Sequence, residues 1–95
     1  MNIKHVMLEA KIINDKEKLL CFLNERCDAL YNEVFGELEL RIFKCDKNFV
    51  VAMVRNYELF LDLYFLSDIN TSFINELTSI LGKTNIVFHY IERRI

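Results

Sequence analysis

The sequence predicts an α+β fold, a two-layer α/β sandwich in the order β-α-β-β-β-α-β, with a mainly antiparallel sheet and two helices on one face. Three observations carry it. Residues 3–12 alternate apolar and polar side chains with a period of two. The segments after Asn14 and Asn70 carry apolar stripes at helical spacing. Phe49 to Leu66, FVVAMVRNYELFLDLYFL, holds only three charged residues, Arg55, Glu58 and Asp62, and reads as two strands buried on both faces.

The first strand places Val6, Leu8, Ala10 and Ile12 on one side against His5, Met7, Glu9 and Lys11 on the other. Asn14 supplies an N-cap, and Glu17 can close a capping box. The helix that follows presents Leu19, Phe22, Leu23, Cys27 and Leu30 to the sheet, with Lys16, Lys18, Asn24 and Glu25 opposite. Its end is set either near Tyr31, the reading we favour, or at Phe35 with Gly36 as a left-handed C′ residue.

Glu37 to Cys45 alternates Leu38, Leu40 and Ile42 with Glu37, Glu39 and Arg41, which predicts a strand with one wet face. Asp46, Lys47 and Asn48 form a turn into Phe49–Val54, and Arg55-Asn56 makes a tight hairpin. Tyr57 to Leu66 sends Leu59, Leu61, Leu63 and Phe65 to one face and Glu58, Phe60, Asp62 and Tyr64 to the other, so both faces want cover. A second helix starts at Asn70 or Thr71, buries Phe73, Ile74, Leu77, Ile80 and Leu81, and stops at Gly82. Asn85 to Arg93 is the last strand.

Residues 1–95 read as one domain without a proline, a repeat or a linker. A domain of this size buries roughly 60–65% of its unfolded surface, and this one is 53% hydrophobic, above the usual soluble share of about 45–50%. With both helices on one sheet face, Phe60, Tyr64, Met7 and one of Val87 or Phe88 are left bare on the other. A second copy stacked sheet to sheet covers them, so a homodimer is expected.

A net charge of −2 gives no electrostatic reason to bind nucleic acid. The one basic cluster, Arg93-Arg94, reads as a solvated end. No segment has the run of about 18 apolar residues needed to cross a membrane. Cys21, Cys27 and Cys45 are odd in number and lack CxxC spacing, which speaks against a disulfide framework or a zinc site and for a reducing cytoplasm.

Several further segments carry a family pattern: the apolar strand LDLYF with Asp62, then Asp68 ahead of a helix, the closing IERRI, and Lys4-His5 at the start. In these the chain resembles the short bacterial and archaeal S-adenosylmethionine decarboxylases over nearly its whole length, with the first helix region shortened. That family cleaves itself at a Glu-Ser bond and turns the serine into a pyruvoyl electron sink. The resemblance puts Cys45-Asp46 at that bond, where Asp46 has neither hydroxyl nor thiol to attack the preceding carbonyl. It sets Val51 where the processing histidine of HTWPEY belongs and Leu66 where the FTC motif ends in its catalytic cysteine. It therefore implies a pseudoenzyme: no catalytic residues, no cofactor, and a role in binding an active homologue or a small ligand. Should the alignment slip by a residue or two, Cys45 becomes the one conceivable nucleophile.

Asp62 is the charge that most needs an explanation, because burial without a partner is costly. It pairs with Arg41 or Arg55 or lies in a pocket. Glu58 shares its face, and the two carboxylates together are the candidate ligand-binding residues, suited to a polyamine or another cation. His5 and His89 come together if the first and last strands are neighbours. The reading with no metal, two half-exposed strand histidines, is preferred to a site completed by Glu9 or Glu92. Ser67, Ser72 and Ser79 have no partner that would activate them. The rival reading of a different class is a small phage-type interaction protein that inhibits a host system.

Overall fold

A computed structural model describes residues 3–10, 16–56, 58–66 and 68–82, together with the backbone of residues 85–89. The elements run β1 (Lys4–Ala10), α1 (Lys16–Arg26), β2 (Asp28–Phe35), β3 (Leu38–Cys45), β4 (Asn48–Arg55), β5 (Glu58–Phe65), α2 (Thr71–Leu81) and β6 (Asn85–His89). They build one antiparallel sheet in the order β2-β3-β4-β5-β1-β6. The α+β class stands, with one strand more than expected.

The cross-strand register explains which side of the sheet is dry. Val6, Leu63, Val50 and Phe43 stand in one row across four strands, and Leu8, Leu61 and Ala52 in the next. Residues paired across strands share a face, and all of these are buried. Leu19, Leu20 and Leu23 of α1 and Phe73, Ile74 and Leu77 of α2 complete that core. The helices touch through Phe22 stacked on Phe73 at 6.1 Å and through Arg26, which reaches Glu76 at 2.9 Å.

The strands β2 to β5 form a meander joined by two-residue loops. Each loop opens on a residue of positive φ: Gly36 at 60°, Asp46 at 58° and Asn56 at 55°. Primed hairpin turns require that conformation, and Asp and Asn are the non-glycine residues that tolerate it best. Asn70 caps α2 through a side-chain oxygen that accepts from Phe73 N at 3.1 Å, and Gly82 (φ 77°) ends it by donating to Thr78 O.

Three expectations are corrected. First, α1 ends at Arg26 rather than at Tyr31 or Phe35, and Asp28–Phe35 is the edge strand β2, paired with β3 through a bulge between Ala29 and Tyr31. Leu30 falls at helical spacing from Leu23 and Cys27, but Tyr31, Val34 and Phe35 are strand formers, and Gly36 is a hairpin residue, not a helix terminator. Second, Cys27 and Cys45 are disulfide-bonded, with Cα atoms 4.3 Å apart; Cys21 is the free, exposed thiol among the described residues. Third, the charged side of β3 is not the wet one. Glu39 and Arg41 share the helix-side face with Phe43 and Cys45, while Leu38, Leu40 and Ile42 lie on the open side. Lys16 of α1 meets Glu39 at 2.5 Å, and Arg41 meets it at 2.7 Å, so the charges of that corner are paired.

The expected cap at Asn14, the end of the first strand at Ile12, Ser67, Glu92 and Arg93-Arg94 lie outside the described residues, as do the side chains of Val87, Phe88 and His89.

Candidate functional site: the open face of the sheet

Opposite the helices, alternation brings a second set of residues to one surface. β3 contributes Leu38, Leu40 and Ile42, β4 Phe49, Val51 and Met53, β5 Phe60 and Tyr64, and β1 Met7, all on one side by register. Each is only half-buried, by its neighbours within the sheet, since no described element covers it. The charges of this face gather mostly at its margins. Arg55 stands opposite Glu58 at one end of the β4–β5 pair, and Lys44 opposite Asp28 on the β2 side.

Asp62 is the carboxylate that sits among the apolar residues. Its Oδ1 lies 2.6 Å from His5 Nε2, with both side chains about one-seventh exposed. The His5 ring in turn stacks on Tyr64, centroids 4.7 Å apart and planes within 8°. Strand β1 makes this possible by pairing with β5 so that His5 faces Tyr64 and Met7 faces Asp62, a diagonal neighbour of His5. Burial, with the Asp62 charge as a smaller contribution, raises the Tyr64 phenol above its ordinary value.

Asp62 therefore pairs with His5, not with Arg41 or Arg55: Arg41 is on the other face, joined to Glu39, and Arg55 stands beside Glu58. Glu58 and Asp62 share a face but lie four residues apart on one strand, about 13 Å at the usual rise. They act as two separate charges rather than as one convergent pair. The register does set His5 opposite His89, as neighbouring first and last strands require. Among the described residues no group of three His, Cys, Asp or Glu side chains is placed to hold a metal.

A polar hollow of about 370 Å³ lies elsewhere, between the β3–β4 turn and the start of α2. It is lined by Asp46, Lys47, Asn48, Asp68 and Asn70. Asp68 pairs with Lys4 at 3.2 Å, and Asn70 is occupied as a helix cap. Among the described residues, none of the lining groups is a hydroxyl or thiol nucleophile. Cys45, which sits beside this turn, is bonded to Cys27 and so does not offer a thiolate.

Sequence reasoning named Asp62, Tyr64, Phe60 and Met7 but missed His5 as the partner of Asp62. Alternation in both strands gives two possible faces and many registers, and only the observed one places the two side chains diagonally. No helix among the described residues is long and apolar enough to cross a membrane. Comparison with protein-family models, with curated proteins and with solved structures finds no match to this chain.

Proposed function

We propose that this chain works by binding, as a non-processing protein of S-adenosylmethionine decarboxylase-like design, and that its open sheet face is where it pairs with a second copy of itself. The observation that carries the reading is the uncovered apolar set of Ile42, Val51 and Met7, in one row with Asp62, and Leu40, Met53 and Phe60 in the next, on a surface whose inner charge, Asp62, is matched by His5. An apolar centre with a polar margin is the usual anatomy of a protein interface. Four strands of about eight residues at about 4.8 Å spacing and about 3.3 Å rise give a flat footprint of about 500 Å², which side-chain relief enlarges toward the roughly 800 Å² per partner of a standard interface.

Sedimentation equilibrium tests this. The wild-type chain is expected to be a dimer at micromolar concentration, and Val51→Lys a monomer with unchanged far-ultraviolet circular dichroism. A monomeric wild type at high concentration would refute the pairing. Intact mass is expected at the full-length value, without cleavage between Cys45 and Asp46. A thermal shift with S-adenosylmethionine examines the small-ligand form of the reading.

The reading as an inhibitor of a host system has its own support in the exposed apolar residues of the edge strand β2, of which Tyr31 and Phe35 continue the open face and Val34 lies on the helix side. Co-purification from a host lysate, identified by mass spectrometry, tests it. A cytoplasmic setting belongs to both readings and would expose Cys27 and Cys45 to a reducing poise; alkylation of thiols in intact cells reports which state they hold.

A further inference from the structure

All eight residues of β2 are exposed, among them Leu30 at 55%, Tyr31 at 41%, Val34 at 62% and Phe35 at 54%. No described strand pairs with its outer side. Natural sheet edges are guarded by shortness, charged side chains (lysine above all), proline, bulges, inward charge or a covering element. β2 is eight residues long and contains neither lysine nor proline. Its one irregularity is the bulge between Ala29 and Tyr31. Both of its ends are fixed, one by the Cys27–Cys45 bond and the other by the Gly36-Glu37 turn. The strand is thus held in the conformation that an added strand needs, which lowers the ordering cost of binding.

We propose that β2 is a docking edge for an extended segment of another protein, added as a further strand, whose side chains read apolar-X-basic-X-apolar. The charge of the edge selects that chemistry. Asp28, Glu33 and the adjoining Glu37 are acidic, and residues 28–37 include no Lys, Arg or His. On the open face the register puts Tyr31, Glu33 and Phe35 in line, opposite Ile42, Leu40 and Leu38. A strand laid alongside sets alternate side chains beside these three: a lysine or arginine beside Glu33, with an apolar residue beside Tyr31 and another beside Phe35. A second copy of β2 brings only acidic charges to this edge, which disfavours self-pairing there. The added strand takes the free backbone edge of β2, at the margin of the open face, whereas the dimer is centred on β4 and β5, so the two proposals are tested by different substitutions.

Two labelled, capped octapeptides test it against the full chain with its disulfide intact, one built around Val-Thr-Lys-Thr-Val and the other with glutamate in place of lysine. Fluorescence anisotropy is expected to show saturable binding of the lysine peptide, about five-fold or more tighter than the glutamate peptide. Glu33→Lys, at an exposed position, is expected to reverse that order. Amide exchange should slow across residues 28–35 when the lysine peptide is bound. Equal affinities, no binding at about 1 mM peptide, or an order unchanged in Glu33→Lys would overturn the proposal, as would a wild-type dimer that dissociates on Val34→Lys. Val51→Lys is expected to lose the dimer and keep the peptide, which separates failure of one proposal from failure of the other.

Discussion

Asp62 and His5 meet diagonally across the β1–β5 pair, Oδ1 to Nε2 at 2.6 Å, and this contact places a carboxylate in the middle of an otherwise apolar sheet face. The pair ties the N-terminal strand to the strand with the densest apolar core face, and Tyr64 stacks on the same imidazole. Asp62→Ala removes a hydrogen bond to an ionisable partner. The expected cost is about 1.5–3 kcal/mol of stability, read from urea unfolding with an unchanged slope.

Tyr64 reports the same neighbourhood through its own titration. Burial comes first among the causes of its raised pKa and the Asp62 charge second. Ultraviolet difference titration should find this phenol ionising later than a free tyrosine. In Asp62→Asn it should ionise earlier than in the wild type but still late, because burial remains. A folded-state pKa raised above the unfolded one stabilises below the unfolded value and ceases to do so as pH rises through the folded value. Stability should therefore fall on the alkaline side, above about pH 10.

Glu39 governs the opposite limb. Its hydrogen bond from Lys16 is the largest influence on its carboxyl, outweighing burial, and Arg41 adds to it, so the group is held below the ordinary glutamate range. A depressed carboxylate stabilises above its unfolded pKa and loses that contribution as pH falls through the folded one. Glu39→Gln should accordingly flatten the decline in stability below about pH 4.5, as followed by thermal melts from pH 6 downward.

Reduction of Cys27–Cys45 releases the start of β2 from the end of β3. The bond closes a stretch with a sequence separation of 18. A loop of about that length is worth about 3 kcal/mol in the chain-entropy account. Adding dithiothreitol, or substituting Cys27→Ser, should lower Tm by about 10–20 °C and speed amide exchange in β2 first.

Patterning alone was enough for β1, β4, β5 and α2, because each has a strong period: Asn70 and Gly82 bound α2, Asp46 opens one hairpin, and the hairpin expected at Arg55-Asn56 opens one residue later, at Asn56, because Arg55 still pairs with Glu58. It failed for β2, where Leu30 prolongs the helical stripe of Leu19 and Leu23 although the residues after it favour a strand. A signal was present in Gly36, a turn residue between two runs rich in strand formers. Once that hairpin is drawn, counting back from Phe35 opposite Leu38 through the single bulge brings Cys27 opposite Cys45, and the odd cysteine count no longer conceals the bond. The inversion of β3 had no such signal. Which of its faces is covered depends on the β3–β4 register, and Phe43 and Cys45 follow the core while Glu39 and Arg41 are drawn with them. Of the candidate site, the bare apolar face was legible and the partner of Asp62 was not.

Strand β1 lies between β5 and β6, both of which are made long after it. On the ribosome, chain growth at about 5–20 residues per second leaves Val6, Leu8 and Ala10 without their pairing strand until Leu59–Leu63 emerges, a delay of several seconds. The meander β2 to β5 closes from near neighbours in the meantime, and the earliest strand docks among the last. Nascent chains are therefore expected to rely on a chaperone that shelters this first apolar segment until its slot has been built.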